Sequence, residues 1–177
     1  VGDKLLSMLG ASEASFAGKK NQQVLDIGSG TGYLSNNISS GVDTLYALDI
    51  AEGMLQFAKK ESDQKNIVYL CADAEAIPLK DSVVDVVVSN FAIQWCPDKA
   101  VLFREISRIL KPNGLFIFSL PSAGTLHELN ASWQQADPNH SHVNQFSCAD
   151  DVAVEIKGSG LSIDLSLIHI SEPTIQY

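Results

Sequence analysis

VLDIGSGTGYLS, residues 24–35, decides how the chain is read. Val24–Ile27 forms a short apolar run with one aspartate, the signature of a buried strand. Gly28, Gly30 and Gly32 alternate through the loop that follows, and a helical pattern opens after them. Glycines so placed accept left-handed backbone and let a ligand approach the main chain closely. A single glycine-rich loop also arises as a plain strand-to-helix turn, so the surrounding sequence must decide.

Outward from the loop, strand and helix signals alternate. Thr44–Ile50, Asn66–Asp73, Val83–Asn90 and Gly114–Leu120 read as four further strands. The run from Val83 is almost unbroken and β-branched, as suits a strand covered on both faces. Helices are expected through about Ser39, over 51–62 and over Lys99–Leu110, with Leu110–Gly114 (LKPNG) as a stop. Five strands alternating with helices predict an α/β, Rossmann-like, doubly wound and mostly parallel sheet, with the ligand at one edge of strand ends. After Leu120 the rhythm breaks. Residues 121–146 are polar and read as a lid-like insertion above the strand ends, with a helix near Leu126–Gln135, and 148–157 reads as a last helix.

The ends carry their own expectations. One domain is expected over residues 1–164, shortened at both ends relative to a full sheet. Leu165–Thr174, LSLIHISEPT, is the translation of a widely used sequencing-library adaptor, so 165–177 is expected to be a non-native tail. A genuine final strand, LSIDLSLIHI over residues 161–170, is the alternative.

Composition narrows the function. Apolar residues make up 45% of the chain, enough for a core, and no apolar run is long enough to span a membrane. The formal charge of −9 repels a phosphate backbone, so a nucleic-acid partner is not expected. Arg104, Arg108 and Lys111 are the nearest approach to a basic face. A solvated helix surface is the commoner reading of that stripe and a docking patch for an acidic partner the rarer one. Cys71, Cys96 and Cys148 are widely spaced, odd in number and without a CxxC, as in reduced cytoplasmic proteins.

The loop lacks a sixth-position glycine, where Tyr33 stands, so the dinucleotide pattern fails. G-x-G-x-G after an Asp-bearing strand instead resembles motif I of class I S-adenosylmethionine-dependent methyltransferases. Asp49, ending the second strand, reads as an acceptor for two ribose hydroxyls or as the N-cap of the next helix, and the two are compatible. The resemblance implies cofactor contacts from Asp26, Gly28, Gly30 and Gly32, from Asp49, Ile50 and Met54, from Asp73 and Ala74, and from Asn90 and Phe91. Ile50 and Met54 would flank the adenine, and Asp73 would meet its amino group. Leu110–Ser119 resembles the signature after the last common helix.

Asn90–Cys96 (NFAIQWC), Gly124–Asp137 and His142–Phe146 (HVNQF) resemble malonyl-acyl-carrier-protein O-methyltransferases of biotin synthesis. That resemblance implies methyl transfer from S-adenosylmethionine to the carboxylate of a malonyl thioester, on malonyl-acyl-carrier protein or malonyl-CoA. A carboxylate is anionic at neutral pH, so the reaction needs no strong base. Gln94 and Trp95 are expected to shape the acceptor pocket, or Trp95 to pack beneath the insertion. His127, His142 and Asn144 could donate to a carboxylate, although solvated polarity is the commoner role. Trp133 is expected to anchor the insertion's helix. His140 and His142 form H-x-H without an evident third ligand, so no metal is expected. A small-acid methyltransferase of the trans-aconitate type and a respiratory-complex assembly factor of the same fold are the competing readings.

Overall fold

The computed structural model describes residues 2–11, 21–144 and 146–164. The adaptor-like stretch 165–177 lies outside the described residues.

Val24, Leu25 and Ile27 are almost completely buried, so the strand that carries them, β1 (Gln23–Ile27), needs cover on both faces. It occupies the middle of a five-stranded sheet of order β3-β2-β1-β4-β5. The neighbours are β2 (Thr44–Asp49), β3 (Ile67–Cys71), β4 (Val84–Asn90) and β5 (Leu110–Ser119), all parallel. Parallel pairing demands crossovers, and the chain supplies them as α2 (Tyr33–Ile38), α3 (Glu52–Glu61) and α4 (Lys99–Ile109). An N-terminal α1 spans Gly2–Ala11, and two later helices, α5 (His127–Ala136) and α6 (Ala149–Gly158), follow the sheet.

Side chains alternate across the sheet with the period of a strand. Leu25, Ile27, Leu48, Val84 and Val87 face a layer built from Leu102, Phe103, Ile106 and Ile109 of α4 with Val152 and Ile156 of α6. Val24, Leu45, Ala47, Val86 and Val88 face the other layer, with Leu34 and Ile38 of α2 and Leu5 of α1. Phe116 and Phe118 of β5 stack at 4.7 Å and close the first layer against Phe103. Asp98 caps α4 by accepting from Val101 N–H at 3.0 Å. The doubly wound fold expected from the alternation is the fold observed.

Two boundaries differ from expectation. The helix over 99–109 does stop at Leu110, but the next strand does not wait for Gly114. Val84 already pairs with Leu110, and Val86 pairs with Leu115, so Lys111–Gly114 bulges out of β5. Asn113 takes φ 63 within that bulge, which a short polar residue tolerates. The basic stripe also dissolves. Arg108 is bound to Glu105 and Asp81, and Lys111 to Asp85 at 2.8 Å, so these two cations serve the fold and do not form a shared open face with Arg104.

The insertion keeps its predicted helix, and α5 has no buried residue. Its two ends are drawn together where Ala123 N–H donates to Ser147 O at 3.2 Å. Among the described residues, no helix is long and apolar enough to cross a membrane. Cys71, Cys96 and Cys148 are free thiols.

Candidate functional site

Parallel strands deliver their C-terminal ends to one edge, so β1, β2, β3 and β4 bring Gly28, Asp49, Asp73 and Asn90 there together. Gly28, Gly30 and Gly32 take φ of 68, 54 and 86, the left-handed region that a side chain disfavours. Gly28 has a second reason to be glycine: a Cβ would lie 2.1 Å from that of Ala92. The loop turns because Gly28 and Ser29 N–H groups both donate to Leu48 O, at 2.8 and 3.0 Å.

Asp49 fastens this loop from the neighbouring strand. Its Oδ2 accepts Gly30 N–H at 2.9 Å, and its Oδ1 accepts Ala51 N–H at 2.8 Å. The N-cap of α3 is Ala51, so Asp49 shapes the turn into that helix without capping it. A carboxylate has about four acceptor sites, so both oxygens retain lone pairs for ligand hydroxyls.

Under the loop lies a cavity of about 50 Å³ lined by Asp26, Gly28, Ser29, Tyr33, Leu34 and Asn90. Asp26 is buried in β1 and accepts from Ser35 Oγ at 2.6 Å. Burial pushes its carboxyl up from 3.8 to about 6, against the Ser35 hydrogen bonds, and the charge of Asp49 raises it further. Ser29 Oγ is buried in the same wall without a protein partner, which a polar ligand would repair. Tyr33 donates its hydroxyl to Asp3, tying α1 to the cavity wall. Sequence reasoning missed Ser29, Tyr33, Leu34 and Ser35, whose roles come from facing Asp26 across the turn. Only their position within the quoted stretch could have pointed to them.

The remaining cofactor candidates surround this point. Ile50 and Met54 flank Asp49 with 72% and 48% exposure, apolar surface that the fold leaves open. Asp73 follows β3, whose Cys71 pairs with Asp49, and its Oδ1 accepts Glu75 N–H at 2.9 Å. Ala74 is half-buried against the core. Asn90 Oδ1 accepts from Ser119 Oγ at 2.8 Å, and Phe91 N–H donates to Ser119 O at 3.1 Å. Phe91 holds φ 52 while exposing its ring. Left-handed backbone at a bulky residue is strained, and such strain collects at binding sites.

A second cavity, of about 220 Å³, opens beside Phe91 and is lined by Gln94, Trp95, Cys96, Pro97, Asn144 and Phe146. Gln94 Nε2 donates to Phe91 O at 2.7 Å, which fixes the amide's orientation and leaves its Oε1 buried and unpartnered. Trp95 is 66% exposed, so it borders the cavity and is not packed beneath the insertion. Of the insertion's candidates, Asn144 reaches this cavity, but His127 and His142 do not line it. His127 pairs with Glu128 at 3.1 Å. His142 stacks on Trp133 at 4.3 Å and meets Asp137 at 3.0 Å, and His140 meets the same carboxylate. Trp133 thus anchors α5 to the loop after it. Burial pushes the Cys96 thiol up to about 11, with Glu75 and Asp73 adding to it, so it stays protonated and weakly nucleophilic at neutral pH.

The site therefore has two compartments. A polar, glycine-walled one sits over β1 and β2, and an aromatic one lies between the end of β4 and the insertion. The residues fit S-adenosylmethionine chemically: carboxylates for an ammonium and hydroxyls, a free buried hydroxyl, and open apolar surface for a base. The comparisons agree. A malonyl-acyl-carrier-protein O-methyltransferase from a Marinomonas species is 37% identical over 164 residues, 91% of this chain and 58% of that one. Its counterpart from Yersinia pestis is 42% identical over 123 residues, 70% of this chain and 45% of the relative. The chain thus spans about half the length of these curated relatives. An S-adenosylmethionine dependent methyltransferase of known structure from Mesorhizobium loti is 28% identical, with TM-score 0.57 over 64% of this chain and 53% of that one. The family described as Methyltransferase domain matches residues 25–118, which hold the glycine loop and all five strand ends but Ser119, and the chain belongs to that family.

Proposed function

We propose that the protein transfers a methyl group from S-adenosylmethionine to the free carboxylate of a malonyl thioester on an acyl-carrier protein, in the cytoplasm. One observation carries the reading: Gly30 N–H is bound to Asp49, which brings the glycine loop and the strand-end carboxylate to a single point. The relatives named above support the acceptor, and the aromatic compartment offers it room.

Bound S-adenosylmethionine supplies a methyl on a sulfonium, an electrophile that needs no further activation. The chain's residues have to orient and enclose. Asp26 and the unpartnered Ser29 hydroxyl receive the amino-acid end. Asp49 accepts from the ribose, Ile50 and Met54 cover the adenine, and Asp73 accepts from its amino group. Asn90 and Phe91 separate this compartment from the one at Gln94 and Trp95, where the acceptor carboxylate enters. Alignment and exclusion of water then supply the rate. No basic residue is required at the acceptor, since a malonyl carboxylate is already ionised at neutral pH.

The test is methyl-labelled S-adenosylmethionine offered with malonyl-acyl-carrier protein, acetyl-acyl-carrier protein or trans-aconitate. Label on the malonyl carrier alone is expected. Label on the free acid alone would move the protein to small-acid methylation. Cofactor binding without label on any acceptor would overturn the assigned reaction.

A further inference from the structure

The segment 72–83 connects β3 to β4 and has no regular structure, yet it carries Asp73 and Ala74. What holds it is on the far side of the sheet's first layer. Arg108, near the end of α4, spends all five guanidinium N–H donors. Nη1 donates to Leu79 O and Asp81 Oδ1, both at 2.8 Å. Nη2 donates to Ile77 O at 3.0 Å and Glu105 Oε2 at 2.7 Å, and Nε donates to Glu105 Oε1 at 2.8 Å. Glu105 completes the clamp by accepting Ile77 N–H at 2.9 Å. Both polar backbone groups of Ile77 are thereby bound to one Glu–Arg pair, with the Ile77 side chain buried in the core.

The clamp is stapled again at each side. Ser82 N–H and Val83 N–H donate to Arg108 O and Ile109 O, at 2.9 and 2.8 Å. At the other end of α4, Asp98 N–H donates to Glu75 Oε1 at 2.8 Å. The stretch left between these fixed points is Ala72–Glu75, and Ala72 N–H is bound to Asp49 O at 3.2 Å. Its near end is thus tied to Asp49 of β2 and its far end, through Glu75 and Ile77, to α4 and its cap.

We infer that Glu105 and Arg108 are positioning residues, which hold the segment 73–77 so that Asp73 meets the adenine amino group. This rests on the S-adenosylmethionine reading given above. Neither residue lines either cavity. Lysine cannot take the place of Arg108, because a single ammonium has three donors and no planar fork.

The test uses calorimetry on the full chain with two probes: S-adenosylhomocysteine, and S-inosylhomocysteine, which has an oxygen in place of the adenine amino group. The parent chain should prefer the adenosyl compound. In Arg108→Lys, affinity for the adenosyl compound should fall roughly tenfold, about the worth of one charged hydrogen bond. Affinity for the inosyl compound should change little, so that the preference disappears. A general loss of fold would weaken both together. Glu105→Gln should narrow the preference by about threefold, and it decides the matter if Arg108→Lys does not fold. Preference retained within twofold in a folded variant would overturn the inference. A parent chain that binds neither compound would overturn the cofactor reading itself.

Discussion

Gly30 N–H donates to Asp49 Oδ2 at 2.9 Å across the gap between two strand ends. The carboxylate that is to accept from a ribose is therefore already aimed by a main-chain donor, and its other oxygen is aimed by Ala51 N–H. A ligand bound here meets an acceptor that has paid little further entropy to be in place.

Asp49→Ala should weaken S-adenosylhomocysteine binding about a hundredfold, the worth of two charged hydrogen bonds. Asp49→Asn keeps one acceptor oxygen and should fall between. Calorimetry checks both, and unchanged affinity in the alanine variant would remove the ribose assignment.

The loop glycines should differ in cost. Gly28→Ala and Gly30→Ala each place a side chain at positive φ, worth about 1–2 kcal/mol. Only at Gly28 does the new methyl collide, with Ala92 Cβ at 2.1 Å, whereas nothing lies within 4 Å at Gly30. Overpacking adds roughly 1–3 kcal/mol. Urea unfolding should therefore rank Gly28→Ala clearly below Gly30→Ala, and equal midpoints would contradict the close approach.

Asp26 makes both stability and binding depend on pH. Its folded value of about 6 exceeds the ordinary 3.8 because burial disfavours the charge. Its contribution to folding is thus fully present below about pH 4 and is lost as pH rises through 6. Asp26→Asn should accordingly stabilise the chain at pH 8 and leave it nearly unchanged at pH 4. The cofactor acts in the opposite direction, since its positive charge favours the ionised carboxylate. Binding should tighten as pH rises through about 6 in the parent chain, and that step should vanish in Asp26→Asn. A step of equal size in both proteins would remove Asp26 from the site.

Much of this architecture is written locally. Alternating strand and helix periods, three glycines at positive φ and the apolar run into β4 each follow from neighbours in the chain, and the sheet follows from them. The parts that were not legible depend on residues far apart in sequence. Arg108 reads as one member of a basic stripe because nothing nearby shows that Ile77, Leu79 and Asp81 absorb its donors. The bulge at Lys111–Gly114 depends on where Val84 and Val86 find partners, a matter of register between strands. The second role read for Asp49, an N-cap, arises because the local pattern shows the turn to Ala51 and not the bond to Gly30. A nearer partner also escaped notice: His142 reads as a solvated histidine or a donor to a carboxylate, and it is bound instead by Asp137, five residues before it.

The insertion should be separable from the cofactor scaffold. α5 buries no residue, and Trp133 is held through its stack on His142 at 4.3 Å. Trp133→Ala should therefore cost less than about 1 kcal/mol in unfolding, as for other exposed positions. Its effect should appear in the acceptor. Losing the stack frees the segment that carries Asn144 and Phe146, which line the cavity shared with Gln94 and Trp95. The KM for malonyl-acyl-carrier protein should rise several-fold while the calorimetric Kd for S-adenosylhomocysteine stays within twofold, the ordinary signature of lost acceptor binding. Gln94→Ala should divide differently. It removes the bond that holds Phe91 O, so both the acceptor KM and the cofactor Kd should increase. If Trp133→Ala weakened the cofactor as strongly as the acceptor, the two compartments would be one, and the insertion would be part of the cofactor site.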